Sequence, residues 1–465
     1  MLRNRKELVG IFKNRQSIKR AFMLIYIGLF LLQAFFPHPY LQFAMCLAAM
    51  ILFILAFSAT RSSTRIMSLI LIAVGVYFML KYQASAEDWI KASTYNSSLI
   101  SLILTVPLLG SILYFEPYQH HLSVLISRFA SSPYRFYVVT SMMLTILAAL
   151  INLASFHFVH QLLRTTSEKY PAKLFNGALI RGFIANVLWS PSYLSVALVS
   201  QYANISWFAL APVGISMALA GVASMLLIGW LEYGRLDNPE PLNYAPDPQP
   251  DLRKSVNSLL KLVLQTGILI FLIVALEYYT HKSAMVIVPL ISFTGPLLLA
   301  IAYGKMEAYI VQSKEFILHR MPLINNEIIL FTAIGFFGYS LGISEIPAYI
   351  PILINRLGLD SAATLLPVIV FAIGILSIIG IHPMITIAAL AASLPPGSVP
   401  LSTIQLAGAY LAGYMLYSVL SPFSAVNLLV GSLSKQSPVS VGLQQNGVFA
   451  VVCTVVSIGI ILCFF

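Results

Sequence analysis

The sequence predicts an all-α polytopic membrane protein with about 11 transmembrane helices and two opposed re-entrant helical hairpins, arranged as inverted repeats. Three observations support this fold class. Hydrophobic residues make up 59% of the 465 residues and charged residues only 9%, whereas charged residues are about 25% of an average soluble protein. The apolar residues form stretches long enough to cross a bilayer. A Ser-Pro dipeptide interrupts two of these stretches, at Ser190 and at Ser421, 231 positions apart.

The N-terminal segment 1–20 is polar and carries seven Lys and Arg residues. No small-residue cleavage site follows the next apolar run, so this run is predicted to remain as the first span rather than to be removed as a signal peptide. Because basic segments stay in the cytoplasm, the N-terminus is predicted to be cytoplasmic. Counting spans from there places the C-terminal Phe465 outside a plasma membrane, and the short basic loops favour a bacterial one.

Stretches of about 20 apolar residues are predicted to cross the membrane. Two more, 173–203 and 401–434, are each broken at the Ser-Pro dipeptide into arms too short to cross alone, and we interpret them as the re-entrant hairpins. The predicted spans are 21–36, 41–59, 65–81, 98–115, 136–158, 205–232, 259–279, 283–303, 326–343, 361–381 and 440–464.

A linker at 233–257, rich in Pro and Asp, divides the chain into two halves, because prolines at this density favour an extended connector. The sequence therefore predicts a cytoplasmic N-terminal segment, two scaffold regions and two repeats around this cytoplasmic linker. The boundaries are 1–20 for the N-terminal segment, 21–97 and 258–325 for the scaffold helices with an interfacial helix in the second, 98–232 for the first repeat and 326–465 for the second.

The shift of 231 positions relates more than the two dipeptides. It maps 98–115 close to the span at 326–343 and 205–232 close to the last span. Counting spans places Arg135 inside and Lys173 outside, so that the first hairpin enters from outside and the second from inside. Inverted repeats of this kind place a binding site near the midplane and permit alternating access.

This order of spans and hairpins resembles the ion transporter superfamily, whose best-known members are the divalent anion:sodium symporters. The resemblance covers the whole chain and is one of architecture. Ser-Pro stands at both tips where that family has Ser-Asn-Thr, so no branch of the family is identified. The resemblance implies a transport domain that carries both hairpins, a scaffold that forms a homodimer, and elevator-like movement of the transport domain.

The hairpin tips are the first candidates for substrate binding. A helix N-terminus offers free backbone N–H groups and partial positive charge, and each second arm begins just after its Ser-Pro. The alternative is that Ser-Pro only makes the turn and caps the helix. Arg181 joins the candidates, because a charge at membrane depth is costly and a guanidinium suits an anion. The substrate-binding candidates are Ser190, Pro191, Ser192, Tyr193, Ser421, Pro422, Phe423, Ser424 and Arg181.

A second group of polar and helix-breaking residues could couple transport to an ion. Amide and hydroxyl oxygens coordinate cations, broken helices expose carbonyl oxygens, and a histidine exchanges protons near neutral pH. The alternatives are interhelical hydrogen bonds and capping of a kinked helix. The ion-coupling candidates are Asn186, Ser195, Asn427, Gly214, Ser216, Gln444, Gln445, Asn446 and His382.

These features predict a secondary-active transporter of a small anionic solute, driven by a Na+ or H+ gradient, with its site between the two hairpin tips. Two alternatives are a flippase or transporter of a phosphorylated lipid-linked intermediate, and a non-transporting assembly or sensor protein whose site is filled by aromatic side chains. No Walker loop, His-Glu-x-x-His motif or metal-ligand spacing occurs, so neither an enzyme nor a metal site is predicted. The net charge of +11 reflects basic loops rather than nucleic-acid binding.

Overall fold

The computed structural model describes residues 2–118, 120–122, 129, 132–236, 252–394 and 397–465. Within these ranges the regular elements are all helical, without a strand. Eleven helical segments there are long and apolar enough to cross a membrane, and they include both hairpins. The predicted class, an all-α polytopic membrane protein, is confirmed. The chain divides into two compact units.

The first unit holds residues 1–111, 276–353 and 388–395. The helices that lie wholly in this unit are α1 (Leu2–Phe35), α2 (Pro39–Phe57), α3 (Ser62–Lys81), α4 (Ala86–Thr94), α5 (Ser97–Thr105), α12 (Ala284–Ala302), α13 (Met306–Glu315) and α14 (Asn325–Ile343). Its core is the packing of α3 against α14, where a Cβ at Gly75 would lie 2.7 Å from the Phe336 ring. Asn96, just before α5, holds α14 by donating to the Phe331 carbonyl over 2.9 Å.

The second unit holds residues 112–275, 354–387 and 396–465, and both hairpins. A 3-10 helix, Val106–Tyr114, leads into it. Its helices are α6 (Pro133–Ile151), α7 (Ala154–Ser167), α8 (Ala172–Trp189), α9 (Leu194–Tyr202), α10 (Trp207–Tyr233), α16 (Ala362–Ile378), α18 (Thr403–Leu420), α19 (Ala425–Ser434) and α20 (Gln445–Phe464). Three more, α11 (Leu252–Thr280), α15 (Ile346–Arg356) and α17 (Pro383–Ser393), have residues in both units.

Five successive helices, α6 to α10, recur as α16 to α20 in the same order and with similar lengths. The two Ser-Pro turns have the same backbone conformation, with φ −70° and ψ 127° at Ser190 and φ −69° and ψ 127° at Ser421. Proline forces the residue before it into this extended region. The duplicated Ser-Pro therefore ends the first arm of both hairpins in the same way.

The first helix of each repeat runs parallel to the first arm of its hairpin. Gly182 on α8 lies against the Ser141 carbonyl on α6, and four residues further along both helices Asn186 donates to the Thr145 carbonyl over 2.9 Å. In the second repeat α16 packs along α18 as α6 packs along α8. A segment that reverses the chain must therefore follow α6 and α16 before each hairpin begins.

The predicted span 136–158 is wrong, because the chain reverses at Asn152 instead of continuing. Asn152 has a positive φ of 49°, a conformation that ends the helix. Beyond it α7 packs back on α8, with the Phe156 ring 4.8 Å from that of Phe183. The equivalent reversal in the second repeat lies at Gly380, with φ 100°, three residues before Pro383.

This reversal corrects the predicted topology of the first hairpin. Lys173 at the start of α8 forms an ion pair with Glu232 at the end of α10, with 3.6 Å between Nζ and Oε1. Tyr134 at the start of α6 donates to the Leu226 carbonyl on α10. Arg135 and Lys173, which the sequence placed on opposite sides of the membrane, thus lie at the same end of the helices. The basic residues at the starts of α6 and α8 therefore share one side of the protein.

Two further expectations change. The linker predicted at 233–257 is helical from Leu252, where α11 begins, and its residues 237–251 lie outside the described ranges. The predicted second repeat began at residue 326, but α14 packs with α3 in the first unit. The helices that match α6 to α10 begin with α16, in the second unit.

Candidate functional site

Arg181 lies inside the second unit, in the middle of α8, and only 2% of its surface is exposed. Small residues on α8 allow its neighbours to come this close. A Cβ at Gly182 would overlap the Ser141 carbonyl oxygen, so only glycine lets α6 approach at this level. A buried charge requires partners on the surrounding helices, because desolvation of an isolated ion is very costly.

The guanidinium of Arg181 finds partners on three other helices. Its Nε donates to Oδ1 of Asn446 over 2.8 Å, and one terminal nitrogen donates to the Gln445 carbonyl over 3.3 Å. The other terminal nitrogen lies 2.9 Å from Oε2 of Glu232 and 3.4 Å from the Tyr137 hydroxyl. Arg181 therefore joins α8 to α6, α10 and α20.

Glu232 is a candidate functional residue that sequence reasoning missed. Its side chain is 22% exposed, while that of Arg181 is 1% exposed. Helices α8 and α10 are antiparallel, since Gly214 touches Leu188 near the end of α8 and Glu232 meets Lys173 near its start. Side chains on a helix point toward its N-terminus, so those of Arg181 and Glu232 reach toward each other. The sequence did offer one signal: Glu232 is an acidic residue at the end of the apolar stretch that follows the one containing Arg181.

An amide network continues from the ion pair. Asn176 on α8 donates to Oε1 of Gln436 and Oε1 of Gln445, over 3.2 and 3.1 Å. Gln445 donates in turn to Gln436 and to the Ser440 hydroxyl. Of the polar cluster predicted in the last span, Gln445 and Asn446 thus belong to the surroundings of Arg181, whereas Gln444 is exposed.

A π-helix, Ser440–Gln444, precedes α20 and packs on the second hairpin tip. A Cβ at Gly442 would lie 2.8 Å from the Val419 carbonyl oxygen. In the first repeat Gly214 takes the same position, where a Cβ would overlap the Leu188 carbonyl oxygen. Each hairpin is therefore followed by a helix whose glycine touches the last turn of the first arm.

Gly214 and Ser216, which the sequence analysis included among the polar and helix-breaking candidates, do not lie in an unwound segment. Helix α10 is continuous from Trp207 to Tyr233 and keeps Pro212 inside it. The second repeat does depart from a regular α-helix at this point, in its π-helix. Single π-helical turns are rare and occur frequently at functional sites.

At the first tip the hydroxyl groups bind one another and the backbone. Pro191 makes the turn between the arms, and the hydroxyls of Ser190 and Ser192 on either side of it lie 3.0 Å apart. Ser195 donates to the Val187 carbonyl over 2.5 Å and so ties the second arm to the first. These side chains are therefore engaged within the protein.

The second tip is held in a similar way. Ser421 donates to the Ser377 carbonyl on α16 over 2.7 Å, and Ser424 donates to the Ser418 carbonyl over 3.0 Å. The Ser424 hydroxyl also caps α19 by accepting the backbone N–H three residues later. Phe423 projects from this tip beside Pro422 and is 58% exposed.

An asparagine lies beside each tip and uses its amide nitrogen. Asn186 donates to the Thr145 carbonyl on α6 over 2.9 Å. Asn427 donates to the carbonyls of Val419 and Ser421 over 2.8 and 2.9 Å, and so bridges both arms of its hairpin. Both residues are fully buried.

His382 lies in the reversal after α16. Its Nδ1 accepts the backbone N–H of Met384 over 3.3 Å, and its ring is 5.6 Å from that of Tyr417 on α18. The capping role that the sequence left open for this histidine is the one the structure displays. It lies on a different repeat from Arg181.

The structure does not bring the two tips together. A Cβ at Gly408, near the start of α18, would lie 3.3 Å from Val213, whose neighbour Gly214 touches the end of α8. The first tip is therefore level with Gly408, and Leu420 at the second tip is about 18 Å further along α18 at 1.5 Å per residue. The first arms run in opposite directions, so the hairpins are opposed. Two side chains of the first arm, Arg181 and Asn176, reach from the first hairpin to the second repeat.

Comparison with known proteins shows the fold. The chain is similar to a solved structure described as the Alcanivorax borkumensis YdaH transporter, with a TM-score of 0.54 and 15% sequence identity, over 85% of this chain and 98% of that one. No protein-family model matches the sequence. No curated protein matches it. The architecture of a membrane transporter is thus shared with a protein of very different sequence.

Proposed function

We propose that the protein is a secondary-active transporter of a small anionic solute, and that a proton is carried with the solute. The observation that carries this proposal is the ion pair of Arg181 and Glu232, in which a guanidinium 2% exposed depends on a carboxylate that solvent can reach. Charged groups inside membrane helices mark substrate pathways and proton relays. The transporter fold and the inverted repeats support alternating access.

Charge balance links the solute to the proton. With Glu232 ionised, Arg181 has a compensating charge 2.9 Å away and does not need a second anion. Protonation of Glu232 leaves a buried, uncompensated cation, a state that is strongly unfavourable. An anionic solute that arrives with the proton restores neutrality. The guanidinium then exchanges the carboxylate of Glu232 for an anionic group of the solute, and a planar fork suits a carboxylate or a phosphate.

The neighbours of Arg181 would hold it in place during this exchange. Asn446 and the Gln445 carbonyl accept hydrogen bonds from the guanidinium through nitrogens other than the one that meets Glu232. They are neutral, so they orient the cation without competing for the anion. Lys173, at 3.6 Å from Glu232 and half exposed, would favour the ionised carboxylate again once the solute has left.

Sodium coupling is the rival for the driving ion, and one observation favours it. The amide oxygens Oδ1 of Asn186 and Asn427, one beside each tip, are buried without a hydrogen-bond partner among the residues that the structure describes. A buried acceptor without a donor is costly, and a cation would satisfy it. In this version the tips bind sodium while Arg181 still binds the solute.

The test uses purified full-length protein in liposomes loaded with a pH-sensitive dye. Succinate, glutamate and inorganic phosphate are added in turn outside, with and without sodium. We expect at least one of these anions to acidify the lumen in sodium-free buffer. If uptake of the anion into the liposomes requires sodium and leaves luminal pH unchanged, the proposal of proton coupling is wrong. If none of the anions binds or moves, the anionic-solute proposal fails for the classes tested.

A further inference from the structure

A cavity of about 220 Å³ lies in the second unit between α6, α11 and the side chains of Leu122 and Phe129. Its lining residues are all apolar, among them Met143 and Leu147 of α6 and Leu259, Leu262 and Val263 of α11. They are distinct from the residues around Arg181. A polar ligand would find no hydrogen-bonding side chain in this lining, and burying it would be costly. The lining admits only a hydrocarbon group.

The cavity opens to the outer surface of these helices. Ile146 on α6, Val263 on α11 and Phe129 line it and are 44%, 46% and 49% exposed. Both helices belong to a membrane protein, so this surface faces lipid rather than water. The cavity volume is below the roughly 300–1,000 Å³ typical of small-molecule pockets. A single flexible chain that enters from the side fits this space better than a rigid solute.

The position along α11 places the cavity just under the headgroup region. Helix α11 has 29 residues and is about 43 Å long, against a hydrocarbon core of about 30 Å. Tyr278 and Tyr279, 63% and 78% exposed, are typical of one membrane interface. About 30 Å back along the helix is Ser258, which therefore lies near the other interface. Leu259 and Leu262 begin the hydrocarbon layer on that side.

A basic end of the helix adjoins the cavity. Lys254 and Lys261 are seven residues apart and share a helix face. Glu116 neutralises part of this charge through Lys261, at 3.1 Å, and accepts from Ser258 over 2.5 Å. Two positive charges against one negative charge leave this rim positive at headgroup level. The rim complements an anionic lipid and not a zwitterionic one.

We propose that one anionic phospholipid binds at this site, with part of an acyl chain in the cavity and its phosphate at Lys254 and Lys261. The lipid would join α6 to α11, away from the residues around Arg181. The cavity and its charged rim define this lipid site, and the site does not depend on the proposed transport activity.

The probe is phosphatidylglycerol, added to delipidated full-length protein and counted by native mass spectrometry. We expect one strongly retained phosphatidylglycerol per chain, retained at least fivefold better than phosphatidylcholine. Glycerol phosphate, which lacks the chains, should not be retained. Equal retention of the two lipids would overturn the charged part of the site.

Two valines on one face of α11 supply a matched pair of variants. Val263→Trp fills the mouth of the cavity, whereas Val256→Trp lies two turns away, is similarly exposed and does not line it. We expect Val263→Trp to lose the retained lipid at least fivefold and Val256→Trp to keep it. Lys261→Gln should reduce the preference for phosphatidylglycerol over phosphatidylcholine. If Val263→Trp, or the milder Val263→Phe, retains the lipid as the wild type does, the cavity is not its binding site.

Discussion

Arg181 and Glu232 lie 51 positions apart in the chain and 2.9 Å apart in the structure, between a terminal guanidinium nitrogen and Oε2. They meet because α8 and α10 run antiparallel, so that the two side chains reach toward each other from opposite directions. Tyr137 adds a third helix to the pair. This arrangement makes the stability of the second unit depend on a charge balance that the proposed transport cycle must change.

Removing one member of the pair is expected to destabilise the protein strongly. Glu232→Gln leaves the guanidinium buried without a counter-charge, and loss of one partner costs about 3 kcal/mol or more. Replacing both residues by apolar ones, Arg181→Met with Glu232→Leu, should recover most of the stability, because no buried charge is left. Thermal unfolding of the two variants and the wild type in detergent checks this order. A double variant as unstable as Glu232→Gln would contradict it.

The contact between Gly214 and the Leu188 carbonyl predicts a steric effect. A Cβ at position 214 would overlap the carbonyl oxygen, whereas a Cβ at Gly221, two turns later, meets no atom of the described residues within 4 Å. Gly214→Ala is expected to cost about 1–3 kcal/mol by overpacking. Gly221→Ala should be neutral or slightly stabilising because alanine favours helix. Unfolding temperatures measured side by side test the pair.

The tip serines are expected to matter for structure more than for the solute. Ser421 holds α16 through the Ser377 carbonyl, and Ser190 binds Ser192. Ser421→Ala and Ser190→Ala should each lower stability by about 1 kcal/mol. The affinity for an anion identified in the liposome screen should change less than threefold. A tenfold or greater loss of affinity, with stability retained, would instead show that the solute binds at the hairpin tips.

His121, which lies before α6 in the chain, contacts α11 at Ser255. Burial, with a further contribution from His120, lowers the pKa of His121 below its usual value of 6.5, and its ring faces the Ser255 hydroxyl at 3.2 Å. Glu116 and Lys261 are charged groups on the same surface. A histidine with a lowered folded-state pKa contributes stability that is fully present above pH 6.5 and is lost as pH falls below it.

The unfolding temperature should therefore fall as the pH is lowered through the histidine range, and His121→Gln should flatten this dependence. A slope that His121→Gln does not alter would show that another group titrates.

The sequence predicted the positions of the two helix breaks well because Ser-Pro acts locally. Proline fixes the residue before it, so the breaks after Trp189 and Leu420 follow from two letters. The predicted arms 173–203 and 401–434 agree closely with the helices observed. Arg181 was also predicted as a candidate, because a charge in an apolar stretch stands out.

Tertiary relationships were less accessible to sequence reasoning. Asn152 reverses the chain with no proline or glycine to mark the turn, so 136–158 was predicted as one span and Lys173 was placed on the opposite side of the membrane from Arg135. That error hid the antiparallel pairing of α8 with α10, and with it Glu232. The π-helix before α20 has no compositional signal either, since one extra residue in a turn depends on packing against Asn427.

The most direct test of the coupling pair is luminal acidification by wild type and Glu232→Gln in sodium-free liposomes. The anion is the one that moves with the wild type, and both proteins are assayed at a temperature where both are folded. We predict that wild type acidifies the lumen as the anion enters, whereas Glu232→Gln exchanges anion for anion without moving protons. Proton entry at the wild-type rate in Glu232→Gln would contradict the role of this pair in coupling.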